Sequence, residues 1–323
     1  MTVDRGALAT LREELYARGL SPRPDELLSG HTSYRIGGPA DLFVVVHTAG
    51  DMAVAIKSAS DLDVPIFLLG GGTNILFGDR GFRGLVIQNS ATVLKVDVEK
   101  ERLPLSARLG LEEMLSVHLS VPSGVSLTPL SRRLASLGLG GLSWAEGIPG
   151  TVGGAIVNNA GAYGFSMSDV VTEVEWIEAS GRAGTWGVDD VGFGYRTSYF
   201  RENPGRFVTA VHFQVTRQDA AYLVETGKDY LGRRKKNQPA GASAGSVFKN
   251  PVDGFAGRLI EESGLKGRRV GGASVSQKHA NFIVNEGNAS AADVRTLIEM
   301  IQTEVSQKLG VDLSLEIQLV GEF

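Results

Sequence analysis

Residues 141–164 read GLSWAEGIPGTVGGAIVNNAGAYG, seven glycines and one proline interleaved with Trp144, Ile148, Val152, Ile156 and Val157. Glycine loses more conformational freedom on folding than any other residue and returns no side-chain packing. A run so dense in glycine, yet punctuated by large apolar side chains, reads as neither a flexible linker nor a helix. It suits a backbone lying close against something flat or anionic, with its own N–H groups as ligands. A bound cofactor fits that description; a tight turn or close element packing is the plainer alternative.

A second cluster, Gly70, Gly71 and Gly72 followed by Thr73 and Asn74, comes directly after the apolar run Val64 to Leu69. A buried strand ending in three glycines offers successive amide donors in a concave nest, which is an anion site. Neither cluster fits a common nucleotide motif. The segment GGGTNIL has no P-loop lysine, and the GxGxxG spacing that opens a dinucleotide-binding helix is missing.

The chain has 323 residues, enough for two domains with separate cores. A formal net charge of -4 gives no general pull toward nucleic acid. The absence of cysteine excludes disulfides, thiolate metal sites and a thiol nucleophile, and five scattered histidines argue against a metal centre. No apolar run approaches a bilayer-spanning length, and charged residues occupy the N-terminus where a signal peptide would be apolar. A soluble, cytoplasmic protein is expected, acting as a monomer without nucleic acid or membrane partners.

Asp4 to Gly19 reads as an amphipathic helix with Leu8, Leu11 and Leu15 on one face. Asp41 to Val46 is a predicted strand, and Thr48 with Asp51 caps a helix to about Ser60. With Val64 to Leu69 these make a βαβ unit, its second strand delivering the nest at the carboxyl end, where ligands bind. Ser90 to His118 has no steady period and reads as a peripheral strand-and-loop excursion. Thr128–Pro129 opens a helix that Gly138 ends. Val171 to Glu178 and Phe207 to Val215 alternate as half-buried strands. The first domain is expected to span residues 1–216 and a smaller second domain 217–323. There, Gly254 to Ser263 is a helix, Ala280 to Asn285 a strand, and Ser290 with Asp293 a capping box for a long helix closed by Gly310. In the last strand, LSLEIQLV, Leu313, Leu315, Ile317 and Leu319 share one face. Glu316 therefore points to water or into a cleft.

The candidates for chemistry are a serine, an arginine and a carboxylate. Ser246 lies in AGASAGSVFKNP, its hydroxyl on a sterically open turn with Lys249 and Asn250 nearby to bind an anion; a serine that only satisfies its own turn is the alternative. Arg196 lies in FGYRTSYF, whose aromatics would shield a guanidinium that either stacks on them or clamps a carboxylate. Glu316 is by alternation alone more simply a solvated strand residue. The basic run Arg233, Arg234, Lys235, Lys236 is ordinarily an exposed helix face, but could hold a diphosphate.

The ordered set HTSYRIGGPADLFV, LLGGGTNILF, GLSWAEGIPGTVGGAIVNNAGAYG, FGYRTSYF, SAGSVFKNP, GGASVSQKHANFIVN and LSLEIQLVGE closely resembles the UDP-N-acetylenolpyruvoylglucosamine reductase family, the MurB flavoenzymes of peptidoglycan synthesis. The likeness runs from about Ser29 to the C-terminal residues. It implies an α+β fold: a PCMH, or vanillyl-alcohol-oxidase-like, FAD-binding domain plus a smaller α+β substrate domain. It implies FAD held non-covalently by Gly70, Gly71, Gly72, Thr73, Asn74, Gly147, Ile148, Pro149, Gly150, Thr151, Gly153, Gly154, Asn159 and Gly161. NADPH would reduce the flavin, and UDP-N-acetylglucosamine enolpyruvate would then take a hydride from flavin N5 to give UDP-N-acetylmuramate. Arg196 and Glu316 would stabilise the resulting enolate and Ser246 would donate the proton. Tyr195, Arg234, Gly245, Lys249, Asn250 and His279 would contact substrate.

There are departures. Gln318 stands where the family often has arginine, and His31 where asparagine is common. The short connection from Tyr199 to Phe207 resembles the subgroup lacking an extra tyrosine-bearing loop. Two other readings stay open: an oxidase of the same flavin fold, although no histidine follows the nest to attach the flavin, and a non-catalytic flavin or nucleotide-sugar sensor.

Overall fold

Local stop and start signals decide where most helices lie. Asp4 caps the helix Arg5–Ala17, whose Leu11 and Leu15 are fully buried. The Thr48 hydroxyl accepts the Asp51 N–H at 3.0 Å and starts the helix Ala49–Asp61. Ser290 and Asp293 form the reciprocal capping box, each side chain accepting the other's N–H at 3.0 Å. The helix they open, Ala291–Leu309, turns Val294, Leu297, Ile298, Ile301 and Val305 inward at the expected spacing. The computed structural model describes residues 3–92 and 116–323, so most of the Ser90 to His118 excursion lies outside the described residues.

The chain divides into two compact units that interleave along the sequence. The first comprises Met1–Val45, Ser58–Gln88 and Lys235–Phe323, and the second Val46–Lys57 and Asn89–Arg234. This does not follow the single cut at 216. The strand Arg206–Arg217 pairs with Leu139–Gly140 through its last residues, and the helix Ala220–Asn237 that follows buries Leu223. These contacts keep the chain in the second unit as far as Arg234.

In the first unit a four-stranded sheet has the order Arg23–Leu27, Pro39–Val46, Phe82–Asn89, Ile66–Leu69. The strands of the expected βαβ unit share this sheet, but Phe82–Asn89, for which there was no expectation, lies between them, parallel to Ile66–Leu69. Leu28, Phe43, Phe77 and Val86, all fully buried, pack a core on this part. Burying each such side chain contributes roughly 1.5–3 kcal/mol. A second core joins the helices Ala256–Glu262 and Ala291–Leu309 to the antiparallel sheet Arg269–Val270, Ala273–Val275, Ile283–Asn285.

Three strands are shorter than read from sequence, and of Val64 to Leu69 only Ile66–Leu69 is strand. The ladder over Ala280 to Asn285 contains only Ile283–Asn285. In LSLEIQLV, Leu315 bridges Phe248, the chain bends at Glu316 and Ile317, and Gln318–Val320 then pairs in parallel with Ile75–Phe77. The bend resets the alternation, so Leu313 and Ile317 are buried while Leu319 is exposed.

The second unit is built on an antiparallel sheet ordered Ala183–Gly187, Val171–Glu178, Arg206–Arg217, Ser116–Pro122. Val174, Trp176, Val211 and Phe213 are buried on it, against a core that includes Leu130 and Trp144. The glycine-rich stretch departs from the reading that it holds no helix. Val152–Val157 is a short helix, capped where the Thr151 hydroxyl accepts the Gly154 N–H at 3.3 Å. Gly153 lets it approach closely, since a Cβ there would lie 2.8 Å from that of Ser123. Among the described residues, no helix is long and apolar enough to cross a membrane.

Candidate active site

The strand Ile66–Leu69 runs out into Gly70, Gly71 and Gly72. Among the described residues the N–H groups of these three glycines meet no protein acceptor, as a nest awaiting an anion requires. Gly72 has φ +61°, and a Cβ on it would lie 2.1 Å from the His31 carbonyl oxygen. Its own carbonyl accepts the Ser33 N–H at 2.9 Å, and the Ser33 hydroxyl reaches on to Ser243 O at 2.7 Å. The HTS segment is therefore the wall against which the nest is shaped. His31, the departure noted above, bonds Glu26 at 2.8 Å and lies against the Phe43 ring.

Glu316 and Ser246 belong to one local construction beside the nest. Asn74 Nδ2 donates to Glu316 O at 3.2 Å, and the Gln318 N–H donates to Asn74 O at 3.0 Å. The Glu316 N–H donates to Val247 O at 2.8 Å, and the Lys249 N–H to Ser314 O at 2.8 Å. Ser246 is half-buried, between Gly245 at φ +77° and the fully buried Val247. The other expected substrate residues of this unit are drawn partly into structure. Asn250 Oδ1 accepts the Ala256 N–H at 3.0 Å, and His279 Nδ1 accepts the Asn281 N–H at 3.2 Å. Burial holds His279 below the usual histidine pKa, and with Nδ1 accepting, the neutral ring carries its proton on Nε2.

In the second unit, several amides of the glycine-rich stretch are occupied by protein. Val152 and Gly153 donate to Val125 O and Ser123 O, both at 2.8 Å, and Ile148 donates to Ala145 O at 3.0 Å. The N–H groups of Gly147, Gly150 and Thr151 meet no protein acceptor among the described residues. Pro149 has no N–H to give. Asn159, expected at the cofactor, is buried and uses its amide within the protein. Nδ2 donates to Gly194 O at 3.0 Å, and Oδ1 accepts the Ser168 N–H at 3.2 Å.

That amide ties the stretch to the turn that carries Arg196. Gly194 and Thr197 bond each other across the turn, and Arg196 sits at φ +55°, a costly conformation for a residue with a Cβ. Arg196 Nη2 donates to Gly161 O at 2.7 Å, and its guanidinium lies 5.4 Å from the ring centre of exposed Tyr195. Stacking and hydrogen bonding thus both orient this cation. Arg234 Nε donates to Gly147 O at 3.1 Å. Burial pushes the Arg234 pKa below its ordinary value, and the positive charge of Arg196 acts in the same direction. Tyr163 opposes this shift, and each of the two guanidiniums rests on a carbonyl of the glycine-rich stretch.

The sequence reading missed two side chains that shape these sites. Asn281, 4 % exposed, holds both backbone groups of Phe248. Arg201 bonds Asn158 Oδ1, joining the helix Tyr199–Glu202 to the glycine-rich stretch. Asn281 lies inside the quoted motif GGASVSQKHANFIVN, where its signal was a polar residue between Ala280 and Phe282; Arg201 follows directly on FGYRTSYF and carried no signal of its own.

Comparison with known proteins agrees with this geometry. The profile described as "UDP-N-acetylenolpyruvoylglucosamine reductase, C-terminal domain" matches residues 237–320, and that of an FAD binding domain matches residues 40–185. The UDP-N-acetylenolpyruvoylglucosamine reductase of Chloroflexus aggregans is 40% identical over 303 residues, covering 92% of this chain and 97% of its own. That of Alkaliphilus oremlandii is 38% identical, covering 92% and 93%. The crystal structure of the Thermus caldophilus enzyme superposes with a TM-score of 0.74 at 33% identity, over 93% of this chain and 98% of that one. The α+β fold with an FAD-binding domain is therefore the fold of this chain, and the chain belongs to the UDP-N-acetylenolpyruvoylglucosamine reductase family of FAD-dependent oxidoreductases.

Proposed function

We propose that the protein uses NADPH to reduce UDP-N-acetylglucosamine enolpyruvate to UDP-N-acetylmuramate, as a cytoplasmic monomer, with Ser246, Glu316 and Arg196 as its catalytic residues. The observation that carries the reading is the Glu316 N–H bonded to Val247 O at 2.8 Å, which sets the carboxylate-bearing residue beside the serine turn. Asn74 ties the same construction to the glycine nest.

The residues present fit FAD. The unpartnered amides of Gly70, Gly71 and Gly72 suit a pyrophosphate, and those of Gly147, Gly150 and Thr151 suit polar edges of the cofactor. FAD, when bound, supplies the hydride that NADPH has given it.

The remaining chemistry falls to side chains. Hydride addition to the terminal enolpyruvyl carbon leaves negative charge on the adjacent carbon and its carboxylate. Arg196, preset by its bond to Gly161 O, neutralises that charge as it forms, with Glu316 supplying an acidic hydrogen bond. Ser246 then gives its proton to the adjacent carbon; a serine is a weak acid, but such a carbanion is a strong base, and fixed geometry makes the transfer effective. Arg234, Lys249 and Asn250 are assigned to the nucleotide sugar's anionic portion, with Tyr195, Gly245 and His279 as further substrate contacts.

Anaerobic mixing tests this. NADPH should bleach the flavin absorbance of the holoenzyme, and the enolpyruvyl sugar should restore it. Bleaching without recovery would refute the substrate assignment.

A further inference from the structure

The segment bearing Ser246 is gripped by one buried amide. Asn281 Oδ1 accepts the Phe248 N–H at 2.9 Å, and Nδ2 donates to Phe248 O at 2.8 Å. The Asn281 carbonyl accepts the Val247 N–H at 2.8 Å. One residue thus meets three backbone groups of Val247 and Phe248, much as a neighbouring strand would. Opposite it, Val247 O accepts the Glu316 N–H. Val247 and Phe248 are 0% and 1% exposed, so neither has water to fall back on if Asn281 lets go.

We infer that Asn281 is a positioning residue for the protonation step, setting Ser246 and Glu316 through the Val247–Phe248 backbone; this rests on Ser246 being the proton donor. A serine proton is delivered only from within hydrogen-bond reach of the carbon, and a displacement of about 1 Å can cost on the order of a hundredfold in rate. Asparagine suits the task because it presents a donor and an acceptor together, matching the C=O and N–H of a single residue. Aspartate has the same shape but sets an anionic oxygen against Phe248 O, keeping the acceptor and abolishing the donor.

The test compares the two half-reactions in holo Asn281→Asp. Expected are a second half-reaction slowed about tenfold or more at saturating enolpyruvyl sugar, flavin reduction by NADPH within twofold, and sugar affinity within twofold. Amide exchange at Val247 and Phe248 in the cofactor-free protein should quicken. In the Ser246→Ala background the same change should slow the second half-reaction by less than it does in the parent, since the part of its effect that acts through the serine is already lost and coupled residues are non-additive. Equal loss in both half-reactions, or weaker sugar binding alone, overturns the inference. Should Asn281→Asp fail to fold, Asn281→Gln, which keeps both amide functions one methylene farther out, is read by the same criteria. Ser246→Ala separates the two claims: if it spares the second half-reaction, the serine assignment fails; if it stalls that step while Asn281→Asp does not, only the positioning role fails.

Discussion

Replacing Gly72 by alanine isolates what the nest contributes. At φ +61° a Cβ costs about 1–2 kcal/mol in backbone conformation alone. The added carbon would also lie 2.1 Å from His31 O, 2.9 Å from Thr32 Cα and 3.0 Å from His31 C, all main-chain atoms. Overpacking against such neighbours costs typically about 1–3 kcal/mol more. The sum, about 2–5 kcal/mol, is a large share of the roughly 5–15 kcal/mol that holds a protein folded. Guanidinium titration of the cofactor-free protein measures it, with Gly19→Ala as the reference. Gly19 has φ +83° and nothing within 4 Å of the added carbon, so it registers the conformational cost alone. FAD affinity, followed by flavin fluorescence, should fall for Gly72→Ala and stay unchanged for Gly19→Ala. If Gly72→Ala is no less stable than the reference, or binds FAD as tightly as the parent, the nest is not shaped by the wall from His31 to Ser33.

Ser246→Ala should leave the rate of flavin bleaching by NADPH near normal and stall its recovery with the enolpyruvyl sugar, both followed by stopped-flow absorbance. Arg196→Ala should weaken sugar binding and slow turnover by about 10²–10³-fold, the usual loss when a charge-stabilising group is removed; unchanged affinity by titration would exclude the clamp. Glu178 accepts two bonds from Arg182 and one from Arg206 at 2.6–3.0 Å, and these, Arg182 first, lower its pKa from 4.5 to about 2. A carboxyl depressed in the folded state contributes stability above its unfolded pKa and loses it as pH falls through the folded one. Stability should therefore decline between pH 4.5 and about 2, and Glu178→Gln should flatten that part of the curve when melting temperature is plotted against pH.

Features governed by neighbours in sequence were readable from it. Caps at Asp4, Thr48 and Ser290 act over a few residues, and the stripe of Ala291–Leu309 follows from helical spacing alone. Arg23–Leu27 was not readable, because an edge strand of mostly exposed residues has no alternation to betray it. Nor was the cut between units, which depends on which distant segments return to pair. The bend at Glu316 escaped because a change of partner, from Phe248 to the strand Ile75–Phe77, leaves no local mark. At the site, resemblance to a family named Ser246 and Glu316, but only coordinates reveal Asn281 between His279 and Phe248, or Asn159 engaged in holding the Arg196 turn.

The bond from Asn74 to Glu316 spans 242 positions along the chain. During synthesis the nest glycines leave the ribosome long before the segment that flanks them, so the strand Ile75–Phe77 must wait with one edge bare. Contacts of such long range form late and expose the nascent polypeptide to mispairing. Trimming even the short stretch Gln318–Val320 should therefore harm maturation and cofactor loading well beyond what losing three residues suggests.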